Sequence, residues 1–217
     1  LLHMPVRPAE TFTTLLERPA ASLRRWDNAT RRRAVIGLGA TDAHGTIPGL
    51  DSTVFKSVAQ AVLVPSPLTG DGSRDAESVL TALRSGHTFS VLTGIASVVE
   101  PVLTASDDTR HANIGDHLSS PIGAVRVRGS VPAANARIVL RHNDRVVAEG
   151  TGAAETSGLI EPGAYRMEAW LGDQRVPWIV TNPVYIDAEE PPTPARPTPP
   201  LVKDVESVSL PFSPEWV

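Results

Sequence analysis

The sequence predicts an α/β portion followed by an all-β portion: part of a β/α layer or barrel over residues 1–97, then an antiparallel β-sandwich over 98–187. Three observations carry this expectation. Strand, loop, helix and strand patterns follow one another between residues 57 and 92, the grammar of a β/α unit. From about residue 98, short alternating segments recur at regular intervals with turn residues between them. The run PPTPARPTPP then holds six prolines in ten residues, which assigns 188–217 to an extended linker and tail.

Residues 10–33 read as helical, with Phe12, Leu15 and Leu16 on one face. Pro19 interrupts, and Leu23, Trp26 and Ala29 resume the pattern at three-residue spacing. Arg31, Arg32 and Arg33 form a short basic run, either a solvated helix end favoured by the dipole or a set of phosphate contacts. Residues 34–38 read as a continuous apolar strand closed by Gly39. A further strand is expected at 61–64, followed by a loop carrying Pro65, Pro67, Gly70 and Gly72. Residues 75–85 predict a helix with Val79, Leu80 and Leu83 facing inward and Gly86 as its stop, and 88–92 predict the next strand. In the second portion, strands are expected at 99–103, 124–131, 136–140, 146–149, 165–170, 178–180 and 184–186. Asn143-Asp144 and Pro162-Gly163 mark turns, and Val125, Val127, Ile138 and Leu140 are the expected core.

Composition narrows the functional classes. A chain of 217 residues that is 41% apolar can bury one large or two small cores. Its formal net charge of -4 offers no basic excess to attract a phosphate backbone, so no nucleic-acid partner is expected. With no cysteine, any metal site must use oxygen and imidazole ligands. No apolar run approaches the roughly 20 residues of a membrane span, so a soluble protein without a membrane partner is expected. The chain opens Leu1-Leu2-His3 and closes Glu215-Trp216-Val217, which suggests a fragment whose targeting signal, if it has one, lies upstream.

The stretch RAVIGLGATDAHG, residues 33–45, runs from the expected strand into an acid and a histidine one residue apart. Residues two apart in an extended segment point the same way, so Asp42 and His44 can address one ion. A carboxylate and a neutral imidazole suit zinc, manganese or iron, and Gly37, Gly39 and Gly45 would let backbone approach that ion or a substrate closely. The residues alone equally allow Asp42 to cap the next turn and His44 to be an ordinary loop histidine.

Several phrases in order, GLGATDAHG, ALRSGHTF, IGDHL, EPGAYRMEAWL and PWIVTNPVYI, resemble the C-terminal portion of the PHP-type (polymerase and histidinol phosphatase) metallohydrolases, in particular the CehA/McbA-like branch. The resemblance covers about residues 10–187. It implies a distorted β/α barrel holding divalent ions, with the last Asp-x-His ligand motif falling on Asp42 and His44. The family pattern also needs an early His-x-His pair and further upstream ligands. His3 is the only histidine before the motif, and no His-x-His occurs in the chain. The resemblance therefore implies that the remaining ligands lie in an N-terminal barrel segment outside these residues, and that this chain alone has little or no activity on its small-molecule substrate.

Other candidates carry two readings each. His87, after the Gly86 stop, either touches substrate or interacts with helix-end carbonyls. His111 and His117 flank Asp116 in HANIGDHL, as a polar turn or a ligand cluster. Trp170, Trp178 and Tyr185 are expected to pack the sandwich, and Asn28-Ala29-Thr30 is a glycosylation sequon within a predicted helix. Two functions from different classes remain: a metal-dependent hydrolase acting on phosphoesters or a related ester or carbamate bond, or a non-catalytic binding module with a degenerate barrel remnant.

Overall fold

The computed structural model describes residues 8–14, 16–41, 51–119, 125–157 and 160–187. The linker and tail expected over 188–217 lie outside them. In chain order the elements are α1 (Pro8–Thr14), α2 (Ala20–Thr30), α3 (Asp51–Ser57), β1 (Val58–Val62), α4 (Gly72–Arg84), β2 (Thr88–Leu92), β3 (Val102–Ser106), β4 (His111–Ala112), β5 (His117–Ser119), β6 (Arg126–Ser130), β7 (Arg137–His142), β8 (Arg145–Thr151), β9 (Ala153–Ser157), β10 (Gly163–Trp170), β11 (Ile179–Thr181) and β12 (Val184–Asp187). No helix among the described residues is long and apolar enough to cross a membrane.

Two mostly antiparallel sheets form a β-sandwich. The larger runs β1-β2-β11-β10-β12-β5, with β7 and then β8 added along the other side of β10; the smaller runs β4-β3-β6-β9. Val125, Val127, Ile138 and Leu140 lie in the core between them with Leu103, Met167 and Ile179, as the alternation predicts. Asn143 and Asp144, both at positive φ, make the tight turn from β7 to β8 that matches the twist of a hairpin. Tyr165 donates its hydroxyl hydrogen to Glu161 O at 2.7 Å, tying the start of β10 to the preceding corner.

The first portion departs from expectation. Among the described residues no closed barrel forms, and β1 and β2 pair antiparallel rather than as a parallel β/α layer. The reason lies in β2, whose other edge pairs antiparallel with β11, so that β1 and β2 prolong the larger sheet across position 97. Helix α4 begins at Gly72, earlier than the periodicity suggests, because the Asp71 carboxylate caps the amides of Ser73 and Arg74. The strand expected at 34–38 is absent: these residues join no ladder.

Strand β10 is buried on both faces. Tyr165, Met167 and Ala169 enter the sandwich core, whereas Arg166 and Glu168 point the other way, toward α2. There the Arg166 guanidinium holds Asp27 of α2 in a fork of 2.7 and 2.8 Å and donates to Glu168 at 2.7 Å. Arg18 adds two bonds to Glu168, of 2.6 and 3.2 Å. Arg141 Nε approaches Glu168 at 3.1 Å, an ion pair whose angle makes no hydrogen bond. Arg166 is 1% exposed, Glu168 0% and Asp27 3%, so these charges have exchanged water for one another.

Two outcomes follow from this burial. Replacing Arg166 by Met strands Asp27 and Glu168 without their shared cation, and urea unfolding should report a loss of about 3–5 kcal/mol; a loss below about 1 kcal/mol contradicts the assigned role. Burial alone would raise the Glu168 pKa, yet the Arg18 hydrogen bonds and the Arg166 charge outweigh it and hold the carboxyl below its usual value. A depressed folded pKa stabilises above the unfolded value of about 4.3 and is lost as pH falls through the folded one. Stability should therefore drop below about pH 4, and Glu168→Gln should flatten that part of the profile in urea titrations at stepped pH.

Candidate functional site

Residues 34–41 cross the outer face of the larger sheet, held by side chains instead of a neighbouring strand. The Asn182 amide takes the place of a strand peptide, accepting from Gly37 N at 2.7 Å and donating to Gly37 O at 3.1 Å. Gly39 N donates to both Gln60 Oε1 and Ser90 Oγ at 3.0 Å, Val35 N donates to the Tyr185 hydroxyl at 3.2 Å, and Trp26 Nε1 donates to Val35 O at 2.8 Å. These bonds satisfy backbone groups that the expected strand would have paired in a ladder.

The glycines explain why the segment can lie so close. A Cβ on Gly37 would sit 2.6 Å from the Trp26 ring, and one on Gly39 would sit 2.7 Å from Ser90 Oγ. A side chain at either position would therefore collide with the protein's own indole or hydroxyl, while both glycines also line the neighbouring cavity. Gly45 lies outside the described residues.

Between this segment, α2 and the sheet lies a cavity of about 600 Å³. Its walls are largely apolar, with Leu23, Trp26, Leu38, Val58, Leu92 and Val180 contributing, and Thr41 stands on its wall. Asp42 and His44, the expected metal ligands, lie outside the described residues. Among the described residues no three histidine or carboxylate side chains gather in a way that could hold a metal ion.

His87 lines different clefts. Its Nε2 meets Asp116 Oδ1 at 2.8 Å, while Asp116 Oδ2 accepts from Asn113 N at 2.9 Å. This pair stands between a cleft of about 380 Å³ under residues 34–36 and another of about 610 Å³ beside α4. His117 is separate from it, bonded through Nδ1 to Asp187 Oδ2 at 3.0 Å and stacked on Tyr185 with centroids 4.6 Å apart. His111 lies in β4 opposite Ser106. Residues 113–116 form the expected polar turn, closed by Asp116 N donating to Asn113 O.

Comparison with known protein families, curated proteins and solved structures returns no significant match. The site therefore rests on its own geometry. Sequence reading did not single out Gln60, Ser90 and Asn182 as anchors of residues 34–41, because their partners lie 21 to 145 positions away and no local spacing encodes such pairs. Asp187, the partner of His117, is hidden for the same reason, being 70 positions distant.

Gly37→Ala should push the segment off Trp26, lowering stability by about 1–3 kcal/mol in thermal or urea unfolding and altering Trp fluorescence. A neutral substitution with an unchanged emission spectrum contradicts the close packing.

Proposed function

We propose that this chain is the C-terminal portion of a PHP-type, CehA/McbA-like metal-dependent hydrolase that acts on phosphoesters or a related ester or carbamate bond. The observation that carries the reading is the placement of Thr41: the residue next to Asp42 stands on the wall of a cavity large enough for a small-molecule substrate. The order of the family-like phrases in the sequence supports it further.

The donor set fits such a site in part. Asp42 and His44 would hold a zinc, manganese or iron ion, and two protein ligands are fewer than the three that catalytic sites of this kind use. The remaining ligands belong, in this reading, to the N-terminal barrel segment of the same protein. When bound, the ion supplies Lewis acidity and lowers the pKa of water. The chain's own residues would orient substrate: Leu23, Trp26 and Val180 provide an apolar wall, and the anchors at Val35, Gly37 and Gly39 steady the backbone that leads to Asp42. A second reading is a binding module without catalysis, in which the barrel remnant is degenerate.

The test is metal-dependent melting combined with an ester assay. The chain alone should gain a modest rise in melting temperature from Mn²⁺ or Zn²⁺, lose that rise in Asp42→Ala and His44→Ala, and hydrolyse bis-p-nitrophenyl phosphate at background rate. Joined to a barrel segment that carries a His-x-His pair, it should turn over in a metal-dependent way. A metal-induced rise that survives both substitutions overturns the ligand assignment, and a rebuilt protein that binds metal without turnover favours the binding module.

A further inference from the structure

The cleft beneath residues 34–36 has a chemistry that the hydrolase reading does not use. It lies at the opposite end of the 34–41 segment from Asp42 and shares with the large cavity only Ile36 among its lining residues. We propose that it binds a small oxyanion, the phosphate or carboxylate group of a small molecule, between Arg84, His87, His117 and Tyr185.

The polar groups lining the cleft are left with donors to spare. Arg84 has no hydrogen-bond or ion-pair partner among the described residues. His87 uses Nε2 toward Asp116 and His117 uses Nδ1 toward Asp187, which leaves the second nitrogen of each ring open. In an imidazolium both nitrogens donate, so each ring can bridge its carboxylate and a bound anion. The Tyr185 hydroxyl accepts from Val35 N and keeps its own hydrogen to give. Burial raises the Tyr185 pKa, which holds that phenol protonated.

A cation fits the cleft poorly. Asp116 is the one carboxylate lining it among the described residues, and both of its oxygens are engaged, by His87 and by Asn113 N. Arg84 balances the single charge of Asp116, and near the end of α4 the carbonyls of Thr81, Leu83 and Ala82 are occupied, accepting from Ser85, Gly86 and His87.

The cleft is also built rather than incidental. The turn carrying Asp116 packs directly on the end of α4, and Gly86 and Gly115, both at positive φ, form the contact. A Cβ on Gly115 would sit 2.5 Å from Ser85 O, so only glycine lets Asp116 reach His87. A volume of about 380 Å³ takes an oxyanion together with a modest organic group.

The probe is inorganic phosphate, with acetate as the carboxylate arm and sodium chloride at matched ionic strength as reference, followed through the imidazole NMR signals of His87 and His117. Saturable shifts of both signals within about 10 mM anion are expected. The tighter of phosphate and acetate names the group. Arg84→Gln and His117→Gln, at exposed positions, should each weaken binding by about tenfold or more while the melting temperature holds, the loss of one charge-assisted bond. Absence of saturation, or affinity unchanged in both variants, overturns the proposal. Because Asp42 and His44 take no part, their substitution should leave anion binding intact even where the metal assay fails.

Discussion

A single buried guanidinium sets the arrangement on which the candidate site depends. Arg166 stands on the outer face of β10 and joins Asp27 of α2 to Glu168 of its own strand, with Arg18 and Arg141 closing around the second carboxylate. Charges removed from water tolerate little misplacement, because a lost partner leaves an ion in a poor solvent. The cluster therefore fixes where α2 lies on the sheet in a way that apolar packing, which accepts many similar fits, does not.

From α2 the constraint passes to the irregular backbone. Arg166 lies 5.5 Å from the ring centre of Trp26, a cation–π arrangement that places the indole between the charge cluster and residues 34–41. The indole meets Gly37 and its N–H holds Val35 O. Across the segment, Asn182 and Tyr185 reach up from the connection between β11 and β12 and from β12 itself. A stretch without a strand ladder is thus held from both sides. The apolar cavity opens along its second half and the donor-rich cleft under its first.

How much of this was legible in the sequence follows from where the interactions lie along the chain. Period-two alternation located β2, β6, β7 and β10 and the core residues Val127, Ile138 and Leu140, since burial on one face of a strand is a local property. Strands β4 and β5, of two and three residues, are too short to carry a period. Residues 34–38 have the apolar character of a strand, and Val35 and Gly37 are indeed bonded on their backbone, but the partners are side chains supplied by distant residues. Direction was hidden as well: nothing in β1 or β2 states that β11 will pair with β2 antiparallel. At the site, His87 was recognisable by its place after a glycine helix stop, whereas its bond to Asp116 depends on Gly86 and Gly115 meeting across 29 residues. Arg166 and Glu168 read as part of a packing strand, and their charge gave no sign of the helix they clamp.

The most direct measurement is amide hydrogen exchange at Val35, Gly37 and Gly39, compared between the natural protein and Asp27→Ala. If the buried cluster holds α2 and α2 holds the segment, these amides are protected in the natural protein and exchange much faster in the variant, while Leu140 and Met167 in the sandwich core keep their protection. Unchanged protection at the three segment amides in Asp27→Ala would contradict the account.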